Sequence, residues 1–257
     1  MNLKIGDLVT RKSYDNDTIF SIESIDENNI CELKGVIVRL YADSTLDDLV
    51  KYDGEIIDDD KIFYERIKNN FNLDRNNFFY LPGKILHIDG DKEYLNKCLK
   101  YYEECNLMAV GELEKESNVP NRITEWLEEY NPNIVVITGH DAFLKKGLNS
   151  EYKNSYNFIK SVKEARKYEK SHEKLIIIAG ACQSNYEDLI RAGANFASSP
   201  KRVNIHALDP AIIAANMALS DVNKDIDLKK ILESTKYKTE GIGGIKTKGT
   251  MYMGYPR

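Results

Sequence analysis

Hydrophobic and polar residues follow two different patterns along the chain, and the change falls near residue 80. Before it, short β-branched runs are separated by polar turns, which is typical of strands in a small sheet. These runs are DLVTR, TIFSIESI, CELKG and VIVRLYA. We therefore predict a small β module over residues 1–53, whose pattern alone resembles an SH3-like barrel.

Residues 54–78 are rich in Asp, Asn and Lys. This composition predicts a linker, and we expect it to carry a helix near residues 60–70. The remaining residues, 79–257, form the third part of the chain, in which the hydrophobic period is different.

In this third part, short aliphatic runs alternate with segments whose apolar residues recur every three or four positions. The aliphatic runs predict four strands, KILHID, LMAVGEL, NIVVITG and KLIIIAG. The segment ANFASSP predicts one more strand. The other segments predict four helices, KEYLNKCLKYYEEC, NRITEWLEEY, YNFIKSVKEARKY and SNYEDLIRAG. Two more helices are predicted near residues 209–219 and 227–236. The alternation predicts an α/β fold with a parallel sheet covered by helices on both faces.

Bulk composition narrows the class of protein. The 257 residues are 42% hydrophobic and 30% charged, as in a soluble globular protein. The net charge of −5 argues against nucleic acid as the main partner. No apolar run approaches the roughly 20 residues that cross a membrane. The stretch MNLKIGDLVTRK holds no apolar secretion segment, so we expect a cytoplasmic protein.

Two of the aliphatic runs end in a glycine followed by a reactive side chain. IVVITGHD delivers His140, and LIIIAGACQS delivers Cys182. Ligands of open α/β sheets bind at the carboxyl ends of the strands, so neighbouring strands would bring both side chains over one crevice. A base beside a thiol favours the nucleophilic thiolate. Cys182 alone is more often a small buried residue, but the matched setting of both residues favours catalysis.

The turn after Cys182 adds to this interpretation. Ser184 and Glu187 have the spacing of a capping box, which predicts a helix that begins at about residue 184. Cys182 then lies just before a helix N-terminus, whose partial positive charge lowers a thiol pKa. Backbone N–H groups in this turn are candidates for holding an oxyanion.

A histidine after one strand and Ala-Cys after the next is similar to the caspase-like clan of cysteine peptidases. Several longer stretches resemble the YabG family of sporulation-specific proteases: IGDLVTRKSY, VRLYADSTLDDLV, PGKILHIDGD, VITGHDA, AGACQSNYEDLIRAGANFASSPKRVNIHALDP and GIGGIKTKGTMYMG. The resemblance covers nearly the whole chain, and the block from Ala179 to Pro210 is its most specific part.

The resemblance implies a caspase-like fold and a peptidase that trims spore coat and other sporulation proteins in the mother-cell cytoplasm, at the forming coat. It implies that Cys182 is the nucleophile and His140 the base, acting as a dyad. The oxyanion would be held by the backbone N–H groups of Cys182 and Asp141. The caspase-like clan usually has glycine where this chain has Asp141, which puts the geometry of the oxyanion site in question.

Acidic residues at the same sheet edge suggest a substrate preference. Asp89 and Asp91 follow the first strand of the α/β part, and an acidic pocket would prefer Arg or Lys before the cut. The alternative is that both residues cap the next helix or its turn, and Asp141 and Asp209 are rival acids. With a basic preference, KK at 145–146 and PKR at 200–202 become candidate self-cleavage sites.

Other interpretations remain at this stage. His206 is a rival base, since a cysteine with a downstream histidine resembles class I glutamine amidotransferases, although their nucleophile turn and His-x-Glu pattern are missing. We expect no cofactor, and no close His/Cys pair suggests a metal site. A non-catalytic coat assembly factor, whose β module binds coat proteins, is the alternative function.

Overall fold

Two sheets, one antiparallel and one mostly parallel, organise the protein. The computed structural model describes residues 3–56, 63, 76–146 and 149–256. The helix predicted near residues 60–70 lies outside these residues, apart from Phe63. Among the helices described, none has both the length and the apolar composition needed to cross a membrane.

The first sheet is antiparallel throughout and has the strand order β4-β3-β2-β1-β5. Its strands are β1 (Leu8–Arg11), β2 (Phe20–Ile25), β3 (Ile30–Gly35), β4 (Tyr41–Thr45) and β5 (Leu49–Lys51). Short 3-10 helices, Lys12–Tyr14 and Leu46–Asp48, precede β2 and β5. Alternate side chains of β2 and β3 point into the core, as a period of two requires. This burial explains why the first three strands could be predicted.

The pattern of the run VIVRLYA predicted one strand, and this prediction is wrong. Only Tyr41 and Ala42 belong to β4, and residues 36–40 form a loop between β3 and β4. The Gly35 N–H donates to the Leu40 carbonyl (2.7 Å), and the Leu40 N–H donates to the Val38 carbonyl (2.9 Å). Val38 and Leu40 are buried because the loop reaches the second sheet, so burial rather than pairing within the first sheet explains these apolar positions.

The second sheet has six strands in the order β8-β7-β9-β12-β13-β14. The strands of this part are β6 (Phe79–Leu81), β7 (Ile85–Asp89), β8 (Ala109–Leu113), β9 (Ile134–Thr138), β10 (Phe143–Lys146), β11 (Asn149–Tyr152), β12 (Ile176–Ala179), β13 (Phe196–Ser198), β14 (Ile242–Gly244) and β15 (Tyr252–Gly254). Strands β8, β7, β9, β12 and β13 are parallel, and β14 pairs antiparallel at the edge. Two small antiparallel pairs, β10–β11 and β6–β15, lie outside this sheet.

Helices cover both faces of the six-stranded sheet, which confirms the predicted architecture. They are α1 (Lys92–Glu104), α2 (Val119–Tyr130), α3 (Ser155–Tyr168), α4 (Tyr186–Ala192), α5 (Asp209–Ala218), α6 (Leu228–Glu233) and α7 (Lys238–Gly241). Helices α1 and α5 pack on one face and α2, α3 and α4 on the other. Along β9, Ile134 and Val136 face the first group, whereas Val135 and Ile137 face the second. Strands buried on both sides read as continuous aliphatic runs for this reason.

Candidate active site

The predicted reactive residues emerge together at the carboxyl edge of the parallel sheet. Strand β9 pairs with β12 in a register that sets Ile137 opposite Ala179. His140 follows Ile137 by three residues and Cys182 follows Ala179 by three residues, so both turns open at the same edge. Both side chains are buried. The sheet therefore brings together the histidine and the cysteine that the sequence singled out.

Cys182 lies in a tight turn whose backbone is unusual at two positions. Gly180 has a φ of 105° and Gln183 a φ of 58°, and the first of these is readily adopted only by glycine. The Ile205 N–H donates to the Cys182 sulfur (3.2 Å), and the Arg39 N–H also faces that sulfur. The Cys182 N–H donates to the Arg39 carbonyl (3.2 Å). Burial raises the pKa of the thiol to about 12, so the group is protonated at neutral pH.

The predicted capping box at Ser184 is wrong. Helix α4 begins at Tyr186, and Asn185 caps it by accepting the Asp188 N–H. The Ser184 hydroxyl instead accepts the Ala181 N–H (2.9 Å) and donates to Asp141 (2.8 Å). Cys182 is consequently four positions from the first helical residue, and the field of a helix end falls off within one turn. Burial outweighs it, so the expectation of a lowered thiol pKa is also wrong.

The imidazole of His140 lies between two tyrosines. Its ring centroid is 4.7 Å from that of Tyr41 and 5.2 Å from that of Tyr94. Its Nδ1 is 3.9 Å from an Asp91 oxygen, and Nε2 has no hydrogen-bond partner among the residues that the structure describes. Burial, together with the charge of Arg39, lowers the pKa of His140 to about 3. The ring is therefore neutral at physiological pH and has one nitrogen available for a proton.

The Asp141 carboxylate ties three loops of the site together. It accepts hydrogen bonds from the hydroxyls of Ser155 (2.5 Å) and Ser184 (2.8 Å) and from the N–H groups of Asn154 (2.7 Å) and Ala142 (2.9 Å). Burial raises its pKa, although these bonds oppose the shift. This side chain positions the turn of Cys182 relative to His140, a role that the sequence did not suggest.

The two acidic residues at the end of β7 differ in their contacts. Asp89 is fully buried and lies 2.6 Å from the Arg39 guanidinium. Burial opposes its ionisation, but Arg39, together with His87 and the Asp91 N–H, more than offsets this and holds the pKa of the carboxyl well below its usual range. Asp91 caps α1 by accepting the N–H groups of Glu93 and Tyr94 and forms an ion pair with Lys34. Asp89 also accepts the Asp91 N–H (2.9 Å), so the capping alternative applies to both residues: Asp91 caps the helix and Asp89 caps the turn before it.

The rival residue His206 lies on the loop before α5, and the rival acid Asp209 is the first residue of that helix. Asp209 accepts the N–H groups of His206 (2.9 Å) and Lys236 (2.9 Å), and burial raises its pKa to about 6. The His206 Nδ1 accepts the Leu208 N–H (3.3 Å). Across the described ranges, no cluster of three or more His, Cys, Asp or Glu side chains is arranged to hold a metal ion.

Three residues of the site were missed from the sequence: Arg39, Tyr41 and Tyr94. Arg39 carried one signal, because an arginine within the apolar run VIVRL needs a buried partner. The two tyrosines carried none, since each comes from an element that is distant in sequence from His140. These residues complete the surroundings of His140 and Cys182 at the edge of the sheet.

Comparisons with known proteins identify the family of the chain. The family model described as YabG peptidase U57 matches residues 4–256. The sporulation-specific protease YabG of Bacillus subtilis (strain 168) is 40% identical over 286 residues, which cover 100% of this chain and 99% of that protein. No solved structure matches the chain. With a family model that extends over nearly all of its length, the chain belongs to the YabG family of peptidases.

Proposed function

We propose that the protein is a cysteine endopeptidase in which Cys182 is the nucleophile and His140 the general acid and base. The observation that carries this proposal is the parallel pairing of β9 with β12, because it brings both residues out at one edge of the sheet. Membership of a peptidase family supports it.

In the mechanism we infer, the Cys182 thiol gives its proton to His140 as its sulfur attacks the scissile carbonyl carbon. The C–N bond then breaks, and His140 returns the proton to the leaving amine. A thioester remains on Cys182. Water attacks this thioester and gives one proton to His140. The C–S bond then breaks, His140 returns the proton to the Cys182 sulfur, and the carboxylic acid product leaves.

The resting pair is neutral, because the pKa of the thiol is raised to about 12 and that of the imidazole is lowered to about 3. Burial is the main cause of both shifts. We infer that proton transfer accompanies attack on a bound substrate, rather than preceding it as a standing thiolate–imidazolium pair. The unpartnered Nε2 of His140 is suited to receive the proton.

The backbone N–H groups of Cys182 and Asp141 are the proposed oxyanion donors. The Cys182 N–H already donates to a carbonyl oxygen, that of Arg39, at 3.2 Å. A parallel bridge pairs Leu40 with Asp141, and its register turns the Asp141 N–H toward the same carbonyl. Asparagine, aspartate or glycine would serve equally at position 141 in this respect, because the donor is a main-chain group.

Asp89 is the proposed specificity residue, with a preference for Arg or Lys before the cut. It is a buried carboxylate that holds a guanidinium, and burial strengthens such a pair because water does not compete. Asp91 contributes less, since its carboxylate is engaged by the N-terminus of α1 and by Lys34. A peptide series that differs only at the residue before the cut tests this preference.

The biological role follows from the relative, whose name describes a sporulation-specific protease. We propose that the substrates are spore coat and other sporulation proteins, cut in the mother-cell cytoplasm at the forming coat without a cofactor. The proposed architecture is an SH3-like module at residues 1–53, a linker at 54–78 and a caspase-like domain at 79–257. A six-stranded sheet with one antiparallel edge strand supports the last of these.

The test compares four purified proteins on a mixed coat-protein extract: wild type, Cys182→Ala, His140→Ala and Cys105→Ala. Cys105 is a partly exposed cysteine at the end of α1 and serves as the matched control. Mass spectrometry of new peptide ends is the readout. We expect new ends after Arg or Lys with wild type and Cys105→Ala, and none with the other two.

Cleavage by a folded Cys182→Ala protein would end the assignment of the nucleophile. Absence of new ends with folded wild type would leave two interpretations, a zymogen that awaits activation and the coat assembly factor. New ends without a basic residue before the cut would leave the dyad in place and remove Asp89 as the specificity residue.

A further inference from the structure

The loop between β3 and β4 enters the candidate active site, where two isolated main-chain bridges hold it. Val38 forms an antiparallel bridge with His206, and Leu40 forms a parallel bridge with Asp141. The Tyr41 N–H donates to the Asp141 carbonyl (3.3 Å). Single main-chain bridges therefore hold the segment on both sides, and within it the chain turns at Arg39, where the Leu40 N–H donates to the Val38 carbonyl (2.9 Å). This pairing fixes the position of residues 38–41 beside the dyad.

The side chain of Arg39 fills the pocket above β7. Its Nη1 is 2.6 Å from Asp89, and its Nε and Nη2 donate to the Ala207 carbonyl at 3.2 and 3.0 Å. Its Nη2 also lies 3.6 Å from the Cys98 sulfur. The side chain is fully buried. All of the nitrogens of the guanidinium therefore have partners, as expected of a pocket shaped for arginine.

The main chain of Arg39 lies against the reactive residue. Its carbonyl accepts the Cys182 N–H (3.2 Å), and its own N–H faces the Cys182 sulfur. The next residue, Leu40, pairs with Asp141, and Tyr41 packs on the His140 ring. The chain thus runs from the pocket, past the sulfur, to the histidine.

We propose that residues Val38–Tyr41 occupy the substrate cleft of their own molecule, with Arg39 in the position of the residue before the cut. The cleft is closed to other polypeptides until this segment leaves. The proposal rests on the proposed function, because it takes the surroundings of Cys182 and Asp89 to be the substrate cleft. The occupant is the protein itself, so its effective concentration at the cleft is that of a tethered ligand.

Contacts around the loop hold the segment in place. The Tyr94 hydroxyl donates to the Gly35 carbonyl (2.7 Å) and also lies 3.3 Å from the Val38 carbonyl. Gly35 has no room for a side chain: an added Cβ would lie 2.4 Å from the Val38 carbonyl oxygen and 3.3 Å from that of Leu40. A substitution at Gly35 therefore disturbs the seating of the loop while leaving Arg39 and the pocket chemically unchanged.

The test measures binding rather than turnover, in the Cys182→Ala protein, which keeps the chain uncut. The probe is a fluorescein-labelled peptide with the sequence of residues 36–42, followed by fluorescence anisotropy. Adding Arg39→Gln is expected to tighten binding by about tenfold or more, since it removes the tethered competitor. Adding Gly35→Ala is expected to tighten binding in the same direction. Arg191→Gln, a change of an exposed arginine on α4, is the matched control and leaves binding unchanged.

A probe with glutamine in place of its arginine should lose this gain, because it no longer fits the Asp89 pocket. Equal affinity of the probe for the Cys182→Ala protein and for both folded loop variants would overturn the proposal. Failure of the proposed function gives a different signal, namely cleavage of substrates by Cys182→Ala or His140→Ala. Circular dichroism of each variant establishes that it is folded before its affinity is compared.

Discussion

The contact between Arg39 and Asp89 is a charge pair from which water is fully excluded. Such a pair costs much desolvation energy and is stable only when the remaining donors and acceptors are satisfied. Here they are, because Thr138 donates to Asp89 and the Ala207 carbonyl accepts from Arg39. Removing one partner leaves the other charge buried and alone, which costs about 3–5 kcal/mol.

We expect Asp89→Asn to lower the free energy of unfolding by about 3 kcal/mol, since Arg39 keeps its charge without a counterion. Urea denaturation in the Cys182→Ala protein measures this without interference from proteolysis. Asp91→Asn is the control. It should lose about 1 kcal/mol or less, because asparagine caps a helix as well as aspartate does and the Lys34 pair is partly exposed. Equal losses would contradict the distinction between the two acids.

His140 makes stability depend on pH. Burial and Arg39 lower the pKa of this imidazole from 6.5 to about 3. Below about pH 6.5 the imidazole is therefore protonated in the unfolded chain but stays neutral in the folded protein. Stability should fall by about 2 kcal/mol between pH 7 and pH 5 from this group. Asp209 acts in the opposite direction, because its pKa is raised to about 6 and its protonation stabilises the fold as pH falls.

A comparison with His140→Phe isolates the histidine, because phenylalanine keeps a ring between the two tyrosines and cannot be protonated. Urea denaturation of Cys182→Ala with and without this change, at pH 7 and pH 5, is the measurement. The protein with His140 should lose more stability on acidification than the phenylalanine variant. Identical losses would mean that the ring is accessible to protons in the folded state.

At the scale of elements, the turn from β12 to α4 determines where Cys182 lies. Its first residue, Gly180, has a positive φ, and the Ser184 hydroxyl closes the turn on the Ala181 N–H. The turn is also crowded, since a Cβ on Gly180 would lie 2.9 Å from Leu189 and 3.2 Å from Ser198. Both the backbone conformation and the lack of space require glycine.

Gly180→Ala should therefore destabilise the protein through two effects, backbone strain of about 1–2 kcal/mol and steric contact. Gly6→Ala separates them, because Gly6 also has a positive φ, 86°, but nothing lies within 4 Å of an added Cβ. We expect Gly180→Ala to lose more stability than Gly6→Ala by at least about 1 kcal/mol. Urea denaturation is the measurement, and equal losses would show that contact contributes nothing.

Regular elements could be predicted because burial imposes their periods. Ile134–Thr138 and Ile176–Ala179 are buried on both faces, so they read as aliphatic runs, and Trp126 and Leu127 share a helical face with Ile123. The run VIVRLYA misled for the same reason: it is buried, but by the other sheet. A hydrophobic pattern indicates that a segment is buried, but it does not indicate which element buries it.

At the scale of the whole molecule, the segment at residues 38–41 joins the two sheets. It belongs to the antiparallel sheet in sequence, whereas its buried contacts are with residues at the edge of the parallel sheet. Separating residues 38–41 from the parallel sheet would expose Arg39, Asp89 and the aromatic rings that pack against His140. The two sheets should therefore unfold together rather than one after the other.

Two probes test this coupling in the Cys182→Ala protein. Trp126, the single tryptophan, is buried on α2 and reports on the α/β part by fluorescence, whereas far-ultraviolet circular dichroism reports on both sheets. We expect their urea transitions to coincide, as in two-state unfolding. In the Arg39→Gln variant the transitions should separate, and separation already in the parent protein would contradict the coupling.

The candidate site could be predicted only as far as it depends on strand ends. His140, Cys182 and Asp89 follow aliphatic runs, and parallel strands end at one edge. Arg39 could not be assigned, because its contact with Asp89 spans 50 residues and two sheets. The protonation states of Cys182 and His140 could not be predicted either. The thiol pKa depends on burial, and burial here depends partly on that distant loop.

The strand order of the antiparallel sheet has a consequence for any cut after Arg39. Strands β4 and β5 come after that bond in the chain, yet they pair with β3 and β1, which come before it. The two fragments of the chain would remain associated, because their strands stay hydrogen-bonded to each other at both edges of the sheet. Denaturing electrophoresis would then display two polypeptides where size-exclusion chromatography displays one particle, and loss of the intact band would not mean that the N-terminal piece had departed.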